Sequence, residues 1–179
     1  MDHLAQDSLQ SGDLIFRSGT GVAGQLLAEA DPNTSYSHVG LVVIDQGAPF
    51  VIHASLNGEN GKGQVIQDSL EDFLLKDEAK AIAVYRLPSD LIHLAPSAVE
   101  IAQNKVRQEV PFDTSFDLSN DERLYCTELV WRAYQKAGLD LVEGEFDTLV
   151  TPFTENDQYI LPSQLLDNSQ LKPIISIPN

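Results

Sequence analysis

Ser37-His38-Val39-Gly40-Leu41-Val42-Val43-Ile44 leads through Asp45-Gln46-Gly47-Ala48 into Pro49-Phe50-Val51-Ile52-His53-Ala54. Both flanks are apolar and rich in β-branched residues, and the four residues between them read as a hairpin loop. If Ile44 pairs with Pro49 across that loop, His53 falls opposite Gly40 and His38 opposite Ser55. Side chains alternate along a strand, so His38, Gly40 and His53 then share one face. The two imidazoles become diagonal neighbours about 7 Å apart at the backbone, within reach of ring side chains. Gly40 leaves the position opposite His53 without a side chain. A slip of one residue would send the histidines to opposite faces, so this register decides whether they meet.

Further strands read outward from the hairpin. Asp13 to Arg17 is a short apolar run behind the turn-like Ser11-Gly12, followed later by Gln64 to Ile66, Ala81 to Arg86 and Leu171 to Ile177. Pro173 places the last of these at a sheet edge. Helical patterns cover Val22 to Ala30, Asp68 to Leu75 and Pro96 to Gln108. In the second, Ser69 and Asp72 resemble a capping box. In the third, Ala95, Val99, Ala102 and Val106 form one stripe, and Pro96 suits the first turn. A last helix starts near Tyr125, or earlier on a cap at Ser119, Asn120 or Asp121 that would leave Cys126 in its second turn, and stops at Gly138. Asn57 to Gly63 and Val110 to Asn120 are irregular. The elements predict an α+β fold with an antiparallel sheet, in one domain over 1–179. Residues 139–179 stay unassigned.

Composition narrows the partners. With 11 Lys+Arg against 27 Asp+Glu the net charge is −16, a field that repels phosphate backbones and anionic membrane surfaces. Nucleic acid is therefore not an expected partner, whereas a small-molecule or peptide substrate, neutral or cationic, suits the charge. No stretch is long and apolar enough to span a bilayer. Residues 1–7 lack a basic segment leading into an apolar one, so the expectation is cytoplasmic, or periplasmic or secreted if a leader has been removed.

Cys126 is the one cysteine, so no internal disulfide forms. It lies in Leu124-Tyr125-Cys126-Thr127-Glu128-Leu129-Val130, on a stripe with Leu129, Val130, Ala133 and Ala137, with Trp131 and Arg132 turned partly away. A stripe packed on the sheet aims the sulfur at the sheet. A thiol in the first turn of a helix meets free amides and the positive end of the macrodipole, which lower its pKa. Thiol and imidazole in reach of one another are the parts of a nucleophilic site. A lone cysteine on an apolar face is more often a small buried hydrophobe, and a strand histidine more often structural. All three on compatible faces raise the nucleophilic reading to even terms. A metal site from His38, His53 and Cys126 finds no tightly spaced ligand pair, so no metal or cofactor is expected. His3 and His93 lie outside the arrangement.

Gly12-Asp13-Leu14-Ile15-Phe16, Ser37-His38-Val39-Gly40 and Tyr125-Cys126-Thr127-Glu128-Leu129-Val130 resemble motifs of the NlpC-type papain-like hydrolases. Their order, histidine before cysteine, is similar to the circularly permuted YiiX/YebB-like branch, related to the lecithin:retinol acyltransferase group. The motifs span about 12–138. The resemblance implies a permuted papain-like fold, an antiparallel sheet packed against a helix that bears the nucleophile. It implies Cys126 as nucleophile and His38 as general base, with the third polar position at His53. Many relatives carry glutamate there, so Glu59 or Glu128 stands as an alternative partner for His38. Tyr125 is a weaker candidate, as a substrate contact. The activity implied is hydrolysis of an amide, peptide or cell-wall-type, through a thioacyl-enzyme. The alternatives are a thiol-dependent lipid acyltransferase or esterase, and an inactive binding domain.

Overall fold

The hairpin forms in the expected register and is tighter than expected. The computed structural model describes residues 8–18, 31–56, 62–75, 79, 81–148 and 158–177. After β1 (Leu14–Arg17), strands β2 (His38–Asp45) and β3 (Ala48–Ser55) pair with Leu41 opposite Ile52 and Ile44 opposite Pro49. Asp45 and Ala48 pair as well, so the loop is only Gln46-Gly47, with φ of 49° and 84°. Two successive left-handed residues make the type I′ turn, whose twist matches that of the strands it joins. Glycine supplies the second at no steric cost.

Six strands form one antiparallel sheet in the order β4-β3-β2-β1-β5-β8. Its other members are β4 (Gln64–Ser69), β5 (Ile82–Arg86) and β8 (Lys172–Ile177). β8 lies at the edge as expected, and its register shifts between Val84 and Tyr85, where Pro173 has no amide to donate. β4 runs further than the apolar run Val65-Ile66 indicated. Asp68 and Ser69, expected to open a helix, are its last two residues, and α1 (Leu70–Leu75) begins after them. Ser69 still caps the helix, although without the reciprocal bond of a capping box: its Oγ accepts from the Asp72 amide at 3.0 Å and donates to Asp72 Oδ2 at 2.7 Å.

α2 (Ala95–Arg107) and α3 (Cys126–Ala137) occupy the expected places. Tyr125 precedes α3 in extended conformation, and Gly138 (φ 104°) ends it with a left-handed residue. Trp131, expected to turn partly outward, is buried instead; its Nε1 donates to Asp140 Oδ1 at 2.8 Å and its ring meets Phe146 edge-on. The helix expected over Val22 to Ala30 and most of the Asn57–Gly63 loop lie outside the described residues. The chain after α3 adds a two-stranded ribbon, β6 (Asp147–Thr148) with β7 (Gln158–Tyr159), and α4 (Pro162–Leu166).

Both faces of the sheet are covered. Leu14, Phe16, Val39, Leu41, Ile52 and Ala83 pack against Ala98, Ala102, Leu129, Val130 and Tyr134 of α2 and α3. Alternation sends Ile15, Val42, Val51 and Val84 to the other face, against Leu70, Phe73 and Leu74 of α1. Each such side chain contributes about 1.5–3 kcal/mol when fully buried. Gly12-Asp13 locks this arrangement. A side chain at Gly12 (φ 95°) would collide with Ala95, and its carbonyl accepts from the Tyr134 hydroxyl of α3. The fully buried Asp13 holds Arg86 through Nε and Nη2, both at 2.7 Å, tying the start of β1 to β5.

Candidate active site

The two histidines face the α1 layer, and their rings meet directly. His38 Nε2 lies 2.8 Å from His53 Nδ1, and His53 Nε2 lies 3.0 Å from Asp68 Oδ2. The three side chains come from adjacent strands, β2, β3 and β4. His53 pairs with Ile66, so Asp68, two residues on, lies on the same face one diagonal step away. Phe73 of α1 backs the pair, its centroid 5.7 Å from the His38 ring and 5.0 Å from the His53 ring. His53 is fully enclosed, whereas His38 keeps an exposed edge.

Asp68 assigns the tautomers along the chain. An ionised carboxylate only accepts, so His53 Nε2 carries the hydrogen and Nδ1 of a neutral His53 is an acceptor. His38 then donates from Nε2 into that nitrogen. Its Nδ1 is left unprotonated, the remaining basic position of the chain.

Cys126 reaches the same end of the sheet from the other side. The β2–β3 ladder stops at Leu41 opposite Ile52, although β2 starts at His38 and β3 continues to Ser55, paired onward with β4. The next hydrogen-bonded rung would join Val39 to Ala54. Instead the Val39 amide donates to the Cys126 sulfur, at the point where the two strands part. The thiol therefore sits beside the backbone of the residue that follows His38. Among the described residues no hydrogen bond joins the sulfur to either imidazole, and 4% of Cys126 is exposed.

Burial dominates the protonation of both groups. The thiol is pushed up from its ordinary value by burial, opposed by the amides of Val39, Thr127 and Cys126 itself and by the positive charge of Arg17. The helix start gives the expected amide donors, but the net direction is the reverse of the lowering expected. His38 is held well below 6.5, first by burial, then by His53 and Arg17. A neutral thiol and a neutral imidazole are the resting forms.

The other sequence candidates serve different ends. Tyr125, expected as a substrate contact, is buried, and its hydroxyl accepts from the Ile160 amide at 2.9 Å. Thr127 Oγ1 donates to the Ile160 carbonyl at 2.6 Å. The residues on either side of Cys126 thus grip both sides of one peptide segment, in the part of the chain no motif covered. Glu128, an alternative partner for His38, is instead bonded to Arg132 Nε at 2.7 Å on its own helix. Glu59 lies outside the described residues. Asp68 is not among the sequence candidates, because the helical pattern read over Asp68 to Leu75 takes it in; the signal for it is the β4 alternation carried on from Ile66 to Asp68. The described residues contain no group of three or more histidine, cysteine, aspartate or glutamate side chains disposed to hold a metal ion.

A sheet carrying its histidines ahead, in sequence, of a helix headed by a single cysteine defines a permuted papain-like protein. The chain belongs to the family of permuted papain-like amidase enzymes, YaeF/YiiX or C92, whose family model matches residues 8–175. It is 34% identical over 132 residues to the uncharacterized protein YiiX of Escherichia coli strain K12, an alignment covering 72% of this chain. The chain spans 58% of that relative's length. The crystal structure of the metalloprotein YiiX from Escherichia coli O157:H7 shares the fold, with a TM-score of 0.78 at 23% identity. That likeness covers 95% of this chain and 98% of the YiiX chain.

Proposed function

We propose that this chain is a cysteine amidase that cleaves a peptide-type amide through a thioacyl-enzyme on Cys126. The observation that carries the reading is the unbroken chain Asp68–His53–His38, with the amide of Val39, the next residue, donating to the Cys126 sulfur. Nδ1 of His38 takes the thiol proton as Sγ bonds to the substrate carbonyl carbon. The charge that develops on the carbonyl oxygen is met by amides at the start of α3, which point at the site without reorganisation. Collapse breaks the C–N bond, and the proton on His38 passes to the departing amine. Water then loses a proton to the same nitrogen, attacks the thioester and returns the sulfur as a thiol. His53 and Asp68 hold the His38 ring and its tautomer throughout. Starting from two neutral groups, His38 acts as a base during attack rather than as one half of a standing ion pair. A peptide is the favoured substrate, and the net charge of −16 suits a neutral or cationic one.

A panel of peptide amides and acyl esters, assayed with the wild type, Cys126→Ser and His38→Ala, tests this. Amide turnover lost in both variants is the expected result. Turnover of acyl esters alone would replace the amidase with an esterase or acyltransferase, and turnover that survives Cys126→Ser would end the reading.

A further inference from the structure

Arg17 is a buried cation that the mechanism above does not use. It is the last residue of β1, directly opposite His38 in the ladder, and is 3% exposed. Its guanidinium lies 4.7 Å from the centroid of Phe73, the ring that also backs both imidazoles. A guanidinium does not give up its proton in a protein, so the charge at this place is permanent. Away from water such a charge acts strongly over short distances.

We propose that Arg17 is a positioning residue of the active site, whose fixed charge keeps His38 unprotonated and supports negative charge on the Cys126 sulfur. The inference rests on the reading of Cys126 as nucleophile and His38 as base. A cation beside the pair opposes the imidazolium and favours the thiolate, so its charge pulls both pKa values down, behind the larger effect of burial. Among the described residues, the charged and titratable groups about it are His38 of β2, His53 of β3 with Asp68 of β4 behind it, and Cys126 of α3. From α1 only apolar side chains turn inward, Leu70, Phe73 and Leu74, while Glu71 and Asp72 are exposed. Asp68 is the one anion among these; it offsets the guanidinium in part and lies one imidazole further from the sulfur than His38.

The chemical consequence concerns timing. With Arg17 in place, His38 is free to accept a proton at lower pH, and the sulfur gains support as its charge develops. Without it, both groups hold their protons to higher pH.

The test is the rate of alkylation of Cys126 by iodoacetamide between pH 4 and 10, on the full chain, where the single thiol makes the signal unambiguous. The wild type should show an acid limb, on which His38 loses its proton, and an alkaline limb of direct thiol ionisation. Arg17→Met and Arg17→Gln should move both limbs up by about one pH unit, a tenfold lower rate on the slopes. Arg17→Lys should restore them. Phe73→Leu, which loosens the packing but keeps the charge, should slow alkylation without moving either limb. Neutral variants that fold, by circular dichroism, and overlay the wild-type limbs would overturn the role of Arg17 alone. A wild-type profile indifferent to His38→Ala would instead overturn the reading of the site. If neither neutral variant folds, the same profile is read on Arg17→His, whose ring is neutral on the alkaline limb: a limb moved up supports the inference and an unmoved one overturns it.

Discussion

Replacing Glu128 by glutamine should make the protein more resistant to unfolding as the pH rises, although it removes half of an ion pair. Glu128 is completely buried in the first turn of the cysteine helix; Oε1 accepts from Arg132 Nε at 2.7 Å, and Oε2 has no hydrogen-bond partner among the described residues. Burial lifts the carboxyl from 4.5 to about 7 against the pull of Arg132, with Asp113 adding to the rise. Between those two values the folded protein holds a proton that the unfolded chain has released, so stability falls as pH rises through the window. The full fall corresponds to about 3 kcal/mol, at 1.36 kcal/mol for each pH unit of difference. Glutamine copies the protonated form, keeps an acceptor for Arg132, and has no such dependence. Arg132 stays anchored in the variant by the carbonyls of Leu118 and Asn120, each at 2.8 Å from Nη2. Urea unfolding of both proteins at intervals from pH 4.5 to 8.5 reads the effect, and every other titrating group cancels in the difference. The variant should gain on the wild type by about 3 kcal/mol across the range, levelling off above neutrality. Parallel curves would refute the reasoning. A variant that loses ground with rising pH would show that the Arg132 pairing outweighs desolvation.

Three further outcomes follow from the same contacts. Asp68→Ala should lower kcat/KM on the amide substrate by roughly a hundredfold or more, with circular dichroism unchanged, because His53 loses the acceptor that fixes its tautomer. Gly40→Ala places a methyl against Val51 Cγ1 and 3.0 Å from the Ile52 carbonyl oxygen. Overpacking of this kind costs about 1–3 kcal/mol in a urea melt, and the His53 Cβ 3.2 Å away carries the disturbance into the site. Thr127→Val should cost about 1–3 kcal/mol by leaving the Ile160 carbonyl unbonded, and should raise amide exchange at Ile160.

Most of the fold was readable because its signals are local. The hairpin declares itself through two apolar runs around Gln46-Gly47, and its register follows from the turn once the face is known. Helix α3 shows its start and its stop in local backbone signals, the extended Tyr125 before it and the left-handed Gly138 after it. Trp131 was misplaced because helical periodicity knows nothing of Asp140, nine residues on, which gives the indole its acceptor. Between Gly138 and Leu171 the chain was illegible for the same reason. Ile160 is positioned by Tyr125 and Thr127, and no pattern within 139–179 records those partners.

Asp68 shows a sharper limit. Asp68-Ser69-Leu70-Glu71-Asp72 carries a valid capping signal, and the cap does form, but on Ser69 alone. One residue earlier, the same stretch is still strand and still alternating, so Asp68 turns to His53. Two periodicities overlap at one position, and helix propensity decides the wrong one, because pairing with β3 is the stronger constraint.

The position of the thiol is legible in neither periodicity, since it depends on a rung of the sheet that does not form. A hairpin zipped to its end would commit the Val39 amide to Ala54 and leave the sulfur no donor on β2. The parted strands free that amide while β4 keeps His53, Ala54 and Ser55 in register from the outer side. His53 can therefore hold its hydrogen bonds to His38 and Asp68 although the strand no longer pairs inward. The stability of the β3–β4 ladder is what allows the β2–β3 ladder to open. A substitution that weakens β4 pairing, such as Val65→Gly, should disturb the histidines before it disturbs the turn at Gln46-Gly47.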